Sequence, residues 1–186
     1  MDSKIIKLIF YILLIPFYSH AAEFKGTFMQ GSFILGKTEP SSKVIIDKRE
    51  IKVSKEGYFA FGLGRDRKND VIIKIAKDNE IKIYEKKILK REYKIQRIEG
   101  LPQKQVTPPK EVFERIKKEN NLIGKARSIN SSLDFFKDSF SKPVDNAIIT
   151  GVYGSQRILN GKPRRPHYGL DYANKEGTPV KAMVDG

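Results

Sequence analysis

Residues 44–63 read VIIDKREIKVSKEGYFAFGL. Val44-Ile45-Ile46 is a short apolar run, and Asp47-Lys48-Arg49-Glu50 is a polar turn. Ile51 and Val53 then alternate with Lys52 and Ser54, and Lys55-Glu56-Gly57 turns the chain again. Phe59, Phe61 and Leu63 fall on one face of the next segment, with Tyr58, Ala60 and Gly62 on the other. That period of two is the signature of a half-buried strand. Further on, residues 71–76 and 81–84, VIIKIA and IKIY, flank Lys77-Asp78-Asn79-Glu80, a second hairpin. Short strands at this spacing predict a small amino-terminal antiparallel β-sandwich of immunoglobulin-like size over residues 22–100. Nothing in this segment has the look of catalysis. It reads as a spacer or docking module.

Residues 101–109, LPQKQVTPP, hold three prolines and no apolar period. They read as a linker, excluding helix and central strand. Thr107 before Pro108-Pro109, with Glu111 close behind, marks a helix start. Residues 110–136 carry a partial apolar stripe of Val112, Ile116, Leu122 and Ile123. A break is expected at Gly124 and the polar stretch 128–132. The connector is thus residues 101–140, a Pro-rich linker and a helix.

From residue 141 the pattern returns to β. Ala147-Ile148-Ile149-Thr150 leads to Gly151-Val152-Tyr153-Gly154, and residues 155–165 read as a polar loop. Then comes PHYGLDYANKEGTPVKAMVDG, residues 166–186. Pro166 favours an extended backbone before it. In an extended strand His167, Gly169 and Asp171 share a face, with Tyr168, Leu170 and Tyr172 opposite. An imidazole nitrogen and a carboxylate oxygen then flank a residue with no side chain, so an ion can reach both. Both donors suit zinc. One His and one Asp at this spacing also occur as a surface His beside a turn carboxylate, and a catalytic zinc takes three protein ligands. Further along, Val180, Ala182 and Val184 alternate with Lys181, Met183 and Asp185, which predicts a strand returning beside the His167 strand.

The flanks of this pair resemble the lysostaphin (LytM-type) zinc peptidases. The resemblance rests on Gly154-Ser155-Gln156-Arg157, His167 to Asp171 as His-x-Gly-x-Asp, Gly177-Thr178-Pro179-Val180, and the stretch ending in Asp185-Gly186, in that order. It covers residues 143–186. It implies a zinc endopeptidase acting on peptidoglycan, with His167 and Asp171 as the first two metal ligands. It also implies a third ligand and catalytic histidines from a later His-x-His motif, to which no residue of this chain corresponds. The expectation is an incomplete all-β peptidase domain over residues 141–186 that binds zinc poorly and hydrolyses nothing by itself, with no catalytic residue of its own. Two further readings stand beside it. One is a non-catalytic LytM-like activator of a cell-wall amidase. The other is an envelope-binding β-module.

Residues 1–21 read as a signal peptide, with Lys4 and Lys7 ahead of the apolar run 8–17 and small residues at Ser19 and Ala21. The run is shorter than the ~20 residues that span a bilayer. Cleavage is expected after Ala21 or Ala22, giving an exported protein of the periplasm or cell envelope with no retained membrane segment. The 186-residue chain has 36 Lys and Arg against 22 Asp and Glu, a net charge of +14, and no cysteine. Its metal ligands are therefore His, Asp or Glu. The basic residues are not clustered, and no nucleic-acid motif appears. Gly-x-Ser-x-Gly, Walker and dinucleotide loops are absent as well. The predicted architecture is mainly β, a sandwich joined by a helical connector to the first strands of a peptidase domain.

Overall fold

Alternation along the chain becomes alternation of burial. In the computed structural model, which describes residues 21–107 and 109–185 without the side chains of Lys104 and Gln105, the first seven strands are β1 (Glu23–Lys25), β2 (Phe33–Lys37), β3 (Lys43–Ile46), β4 (Arg49–Ile51), β5 (Tyr58–Gly62), β6 (Val71–Lys77) and β7 (Glu80–Lys86). The predicted leader falls outside the described residues apart from Ala21. In β6, Val71, Ile73 and Ile75 are buried while Ile72 and Lys74 are exposed. β3 buries Val44 and Ile46, and β5 buries Phe59 and Phe61.

The strands form two antiparallel sheets, ordered β1-β2-β5 and β4-β3-β6-β7. Ile34, Phe59, Phe61 and Leu63 from the first side meet Val44, Ile46, Val71, Ile73 and Ile75 from the second in one hydrophobic cluster. Each such side chain contributes about 1.5–3 kcal/mol when fully withdrawn from water. Gly36 stands opposite Phe59 in the β2–β5 register. A Cβ there would lie 2.6 Å from Phe59 Cε1, so the missing side chain makes room for the ring. The turns are tighter than the sequence predicts. Asp47 and Lys48 alone join β3 to β4, with Asp47 at φ 55°.

The connector departs from expectation in two places. Residues 101–109 contain a one-turn helix, α1 (Gln103–Val106), rather than only irregular chain. Pro102 precedes it, where a missing N–H costs no intrahelical bond, and Val106 is buried. The main helix, α2 (Phe113–Arg127), follows a 3-10 turn at Lys110–Val112 and runs through Gly124 without a break. A helical glycine costs about 1 kcal/mol and need not end a helix. α2 stops at Ser128, whose N–H bonds to the Gly124 and Lys125 carbonyls, where the polar stretch 128–132 predicts a break, and irregular chain with a 3-10 turn at Phe135–Lys137 follows. No residue of α2 is buried. No helix among the described residues is long and apolar enough to cross a membrane.

The remaining strands are β8 (Ile95–Ile98), β9 (Ile148–Gly151), β10 (Gln156–Leu159), β11 (Lys162–Pro163) and β12 (Asp171–Ala173). β10 lies between β8, to which it is parallel, and β11, to which it is antiparallel. Residues 155–165, read as a loop, are therefore largely a hairpin. Its tip is Asn160-Gly161, both at positive φ as a type I′ turn requires. The strand predicted over 180–184 does not form. Lys181 N–H donates to Pro143 O and Ser141 N–H to Met183 O, both at 2.8 Å, so this segment runs beside 141–143 instead. Val180 is 77% exposed. Alternating residues settle as a strand when one face is covered, and here only Val184 is even partly buried.

Candidate metal centre

The site is built on the β9–β12 pair and the turn that follows β9. β12 is antiparallel to β9, with Asp171 opposite Gly151 and a register irregularity between Asp171 and Tyr172. His167 lies ahead of β12 in non-strand chain, and Gly169 is a bend. The extended 167–171 strand of the sequence reading is thus replaced by a curved segment. Its backbone is held by two bonds. His167 N–H donates to Ser155 O at 2.8 Å, and Gly154 N–H donates to His167 O at 2.7 Å.

The curve still brings the two predicted ligands together. His167 Nε2 lies 3.2 Å from Asp171 Oδ1. The distance is that of a hydrogen bond but the orientation is not, and Nε2 is buried with no hydrogen-bond partner. A buried polar atom left unsatisfied costs about 1–3 kcal/mol. Two ligands held tetrahedrally at zinc distances are about 3.3 Å apart, so the observed spacing and the orphaned nitrogen fit a shared cation. The floor below the pair is Gly151, which is buried. A Cβ at 151 would lie 3.0 Å from Asp171 Cγ and 3.2 Å from His167 Cδ2. Only a glycine leaves both side chains where they are.

Two residues of this site were not assigned a role from the sequence. Gly151 is one. Arg157 is the other, quoted there only as part of a motif. Its Nη2 donates to Asp171 Oδ2 at 2.6 Å across 14 residues of chain. No spacing rule links positions so far apart; only the shared fold does. The Ser155 hydroxyl is buried without a hydrogen-bond partner, so it makes no Ser–His pair with His167. Among the described residues no group of three or more His, Cys, Asp or Glu side chains converges on one point.

The turn carrying Gly154 rests on Tyr93 and Arg65. Gly154 has φ 89°, and a Cβ on it would lie 3.0 Å from Tyr93 Cζ. The Tyr93 hydroxyl donates to Arg65 O at 3.1 Å, and the Arg65 guanidinium stacks over the Tyr93 ring at 4.3 Å. Burial raises the Tyr93 phenol above its ordinary value, against the lowering effect of Arg91 and Arg65. Tyr153 packs edge-on against Tyr168, which is 60% exposed beside His167.

No protein-family model matches this chain, and no curated protein matches it.

Proposed function

We propose that this chain supplies the first two zinc ligands, His167 and Asp171, of a lysostaphin-type endopeptidase that is exported and cleaves peptide bonds in peptidoglycan. The observation that carries the reading is the buried, unpartnered His167 Nε2 at 3.2 Å from Asp171 Oδ1. Zinc, when bound, supplies a water of lowered pKa and polarises the scissile carbonyl. The chain's own part is to orient. Ser155 and Gly154 fix the His167 backbone, Gly151 leaves space for both ligands, and the half-exposed Asp171 keeps the pair open to solvent on one side. The third ligand and the histidines that handle the proton come from residues other than these.

In this reading residues 22–100 are an immunoglobulin-like module, 101–140 a connector and 141–186 peptidase. Support for the module comes from three strands facing four over one core, with β2 to β3, β4 to β5 and β5 to β6 each crossing between sheets. The apolar run at 8–17 behind Lys4 and Lys7 supports export to the periplasm or envelope.

The test uses the protein expressed from its whole reading frame, loaded with zinc and incubated with purified sacculi. Release of peptide-cleaved fragments is expected, lost on chelation and in H167A and D171A. Absence of release, or release that survives both variants, overturns the proposal. Stimulation of a separate amidase without intrinsic cleavage would establish the regulator reading instead.

A further inference from the structure

Asp171 divides its carboxylate between two neighbours. Oδ2 accepts from Arg157 Nη2 at 2.6 Å, while Oδ1 faces His167 Nε2 at 3.2 Å. A carboxylate with 44% of its side chain exposed has room to rotate or to swing into solvent. Something must hold it if Oδ1 is to stay beside the imidazole. Arg157 is placed to do so. It sits on β10, in register with Gln96 of β8, and its carbonyl accepts from Arg164 N–H at 2.9 Å. Its Nε is buried without a hydrogen-bond partner. The backbone of Arg157 is thus anchored from both sides, and the guanidinium reaches Asp171 through Nη2.

We propose that Arg157 is the positioning residue of the metal centre: it occupies Oδ2 so that Asp171 offers a single oxygen, Oδ1, to a divalent cation shared with His167. This rests on the zinc reading above. Two effects oppose each other here. The guanidinium repels an incoming cation, and it also fixes a ligand that would otherwise have to be ordered on binding. Outer partners of metal-binding carboxylates and histidines typically raise affinity, and their loss costs about 10–100-fold. Orientation therefore outweighs repulsion. Because β10 is paired to β8, the placement of Asp171 depends on the chain segment that leaves the amino-terminal sheets.

The experiment is a zinc titration of the full chain carrying H20A, which leaves His167 as its only imidazole. Two signals are read, the Nε2 nitrogen resonance and the midpoint of the zinc-induced shift. R157M should weaken the midpoint about 10-fold or more. R157Q, which keeps a neutral donor for Oδ2, should recover part of the loss. Thermal unfolding of each variant separates this from misfolding, and R157Q alone carries the comparison if R157M does not fold. An unchanged midpoint in both variants overturns the proposal and leaves the zinc reading intact. A tighter midpoint in both also overturns it, making Arg157 a competitor of the cation. No shift of His167 Nε2 at millimolar zinc in the parent chain also overturns this proposal, because Arg157 then organises no cation site; the zinc reading, which takes its third ligand from other residues, is overturned only by the sacculus assay.

Discussion

Arg65 Nε donates to the carbonyl oxygen of Gly154 at 2.7 Å, joining residues 89 positions apart. Gly154 in turn donates its N–H to the carbonyl of His167. The loop after β5 therefore reaches the His167 backbone through two consecutive hydrogen bonds. The Arg65 side chain is 14% exposed, so its charge-assisted bond is sheltered from water. R65M should cost about 1.5–3 kcal/mol. Hydrogen exchange should show faster exchange of the Gly154 and His167 amides. Unchanged exchange at both would mean that the turn holds itself.

Gly151 tests the floor of the site. G151A brings a methyl group against the Asp171 carboxylate and within 3.2 Å of His167 Cδ2. Overpacking of this kind costs about 1–3 kcal/mol. Urea denaturation should show that loss, and the His167 ring resonances should move. A variant of wild-type stability with unmoved resonances would show that the pair tolerates a side chain there.

Phe59 is fully buried and stacks on Phe61 with ring centroids 6.5 Å apart. It also meets Phe24 edge-on at 6.2 Å. F59A should destabilise the amino-terminal sheets by about 3–5 kcal/mol, read as a fall in the urea midpoint. A loss below about 1 kcal/mol would contradict a shared core between the two sheets.

Asp47 gives the fold an acid dependence. Arg67 grips both its oxygens, Nη1 to Oδ2 at 2.8 Å and Nη2 to Oδ1 at 3.0 Å. The bond from Arg67, aided by the Ile72 amide and outweighing desolvation, holds the Asp47 pKa below its ordinary value. A depressed carboxylate stabilises the fold above its unfolded pKa, and that stability is lost as pH falls through the folded value. The gap in denaturation midpoint between wild type and D47N should be full at neutral pH. It should shrink below about pH 3.9, the ordinary aspartate value. Asp47 is 43% exposed, so the gap should also narrow with salt. A gap constant down to strong acid would remove Asp47 from the acid response.

The net charge of +14 makes a separate prediction. Retention of the protein on isolated sacculi should weaken as salt rises, because exposed charges are screened beyond about 8 Å at physiological ionic strength. Retention indifferent to salt would show that binding is not electrostatic.

The sequence by itself determined the central strands of the amino-terminal antiparallel sheets, because β2, β3, β5 and β6 bury one face and a period of two records which face. Phe59 and Phe61, or Val71, Ile73 and Ile75, declare their side by alternation alone. It also singled out His167 and Asp171, two donors four positions apart with Gly169 between them, through flanks that resemble the lysostaphin-type peptidases. The same rule misled at 180–184, where alternation exists but both faces stay largely exposed. Tertiary structure alone decided the β8–β10 pairing, the curve that sets Nε2 beside Oδ1, the glycine beneath them and the arginine behind Asp171. Those relations join residues far apart in sequence. Local propensity and periodicity reach only a few positions along a chain, whereas a contact of this kind exists only once the strands between its partners have taken their places.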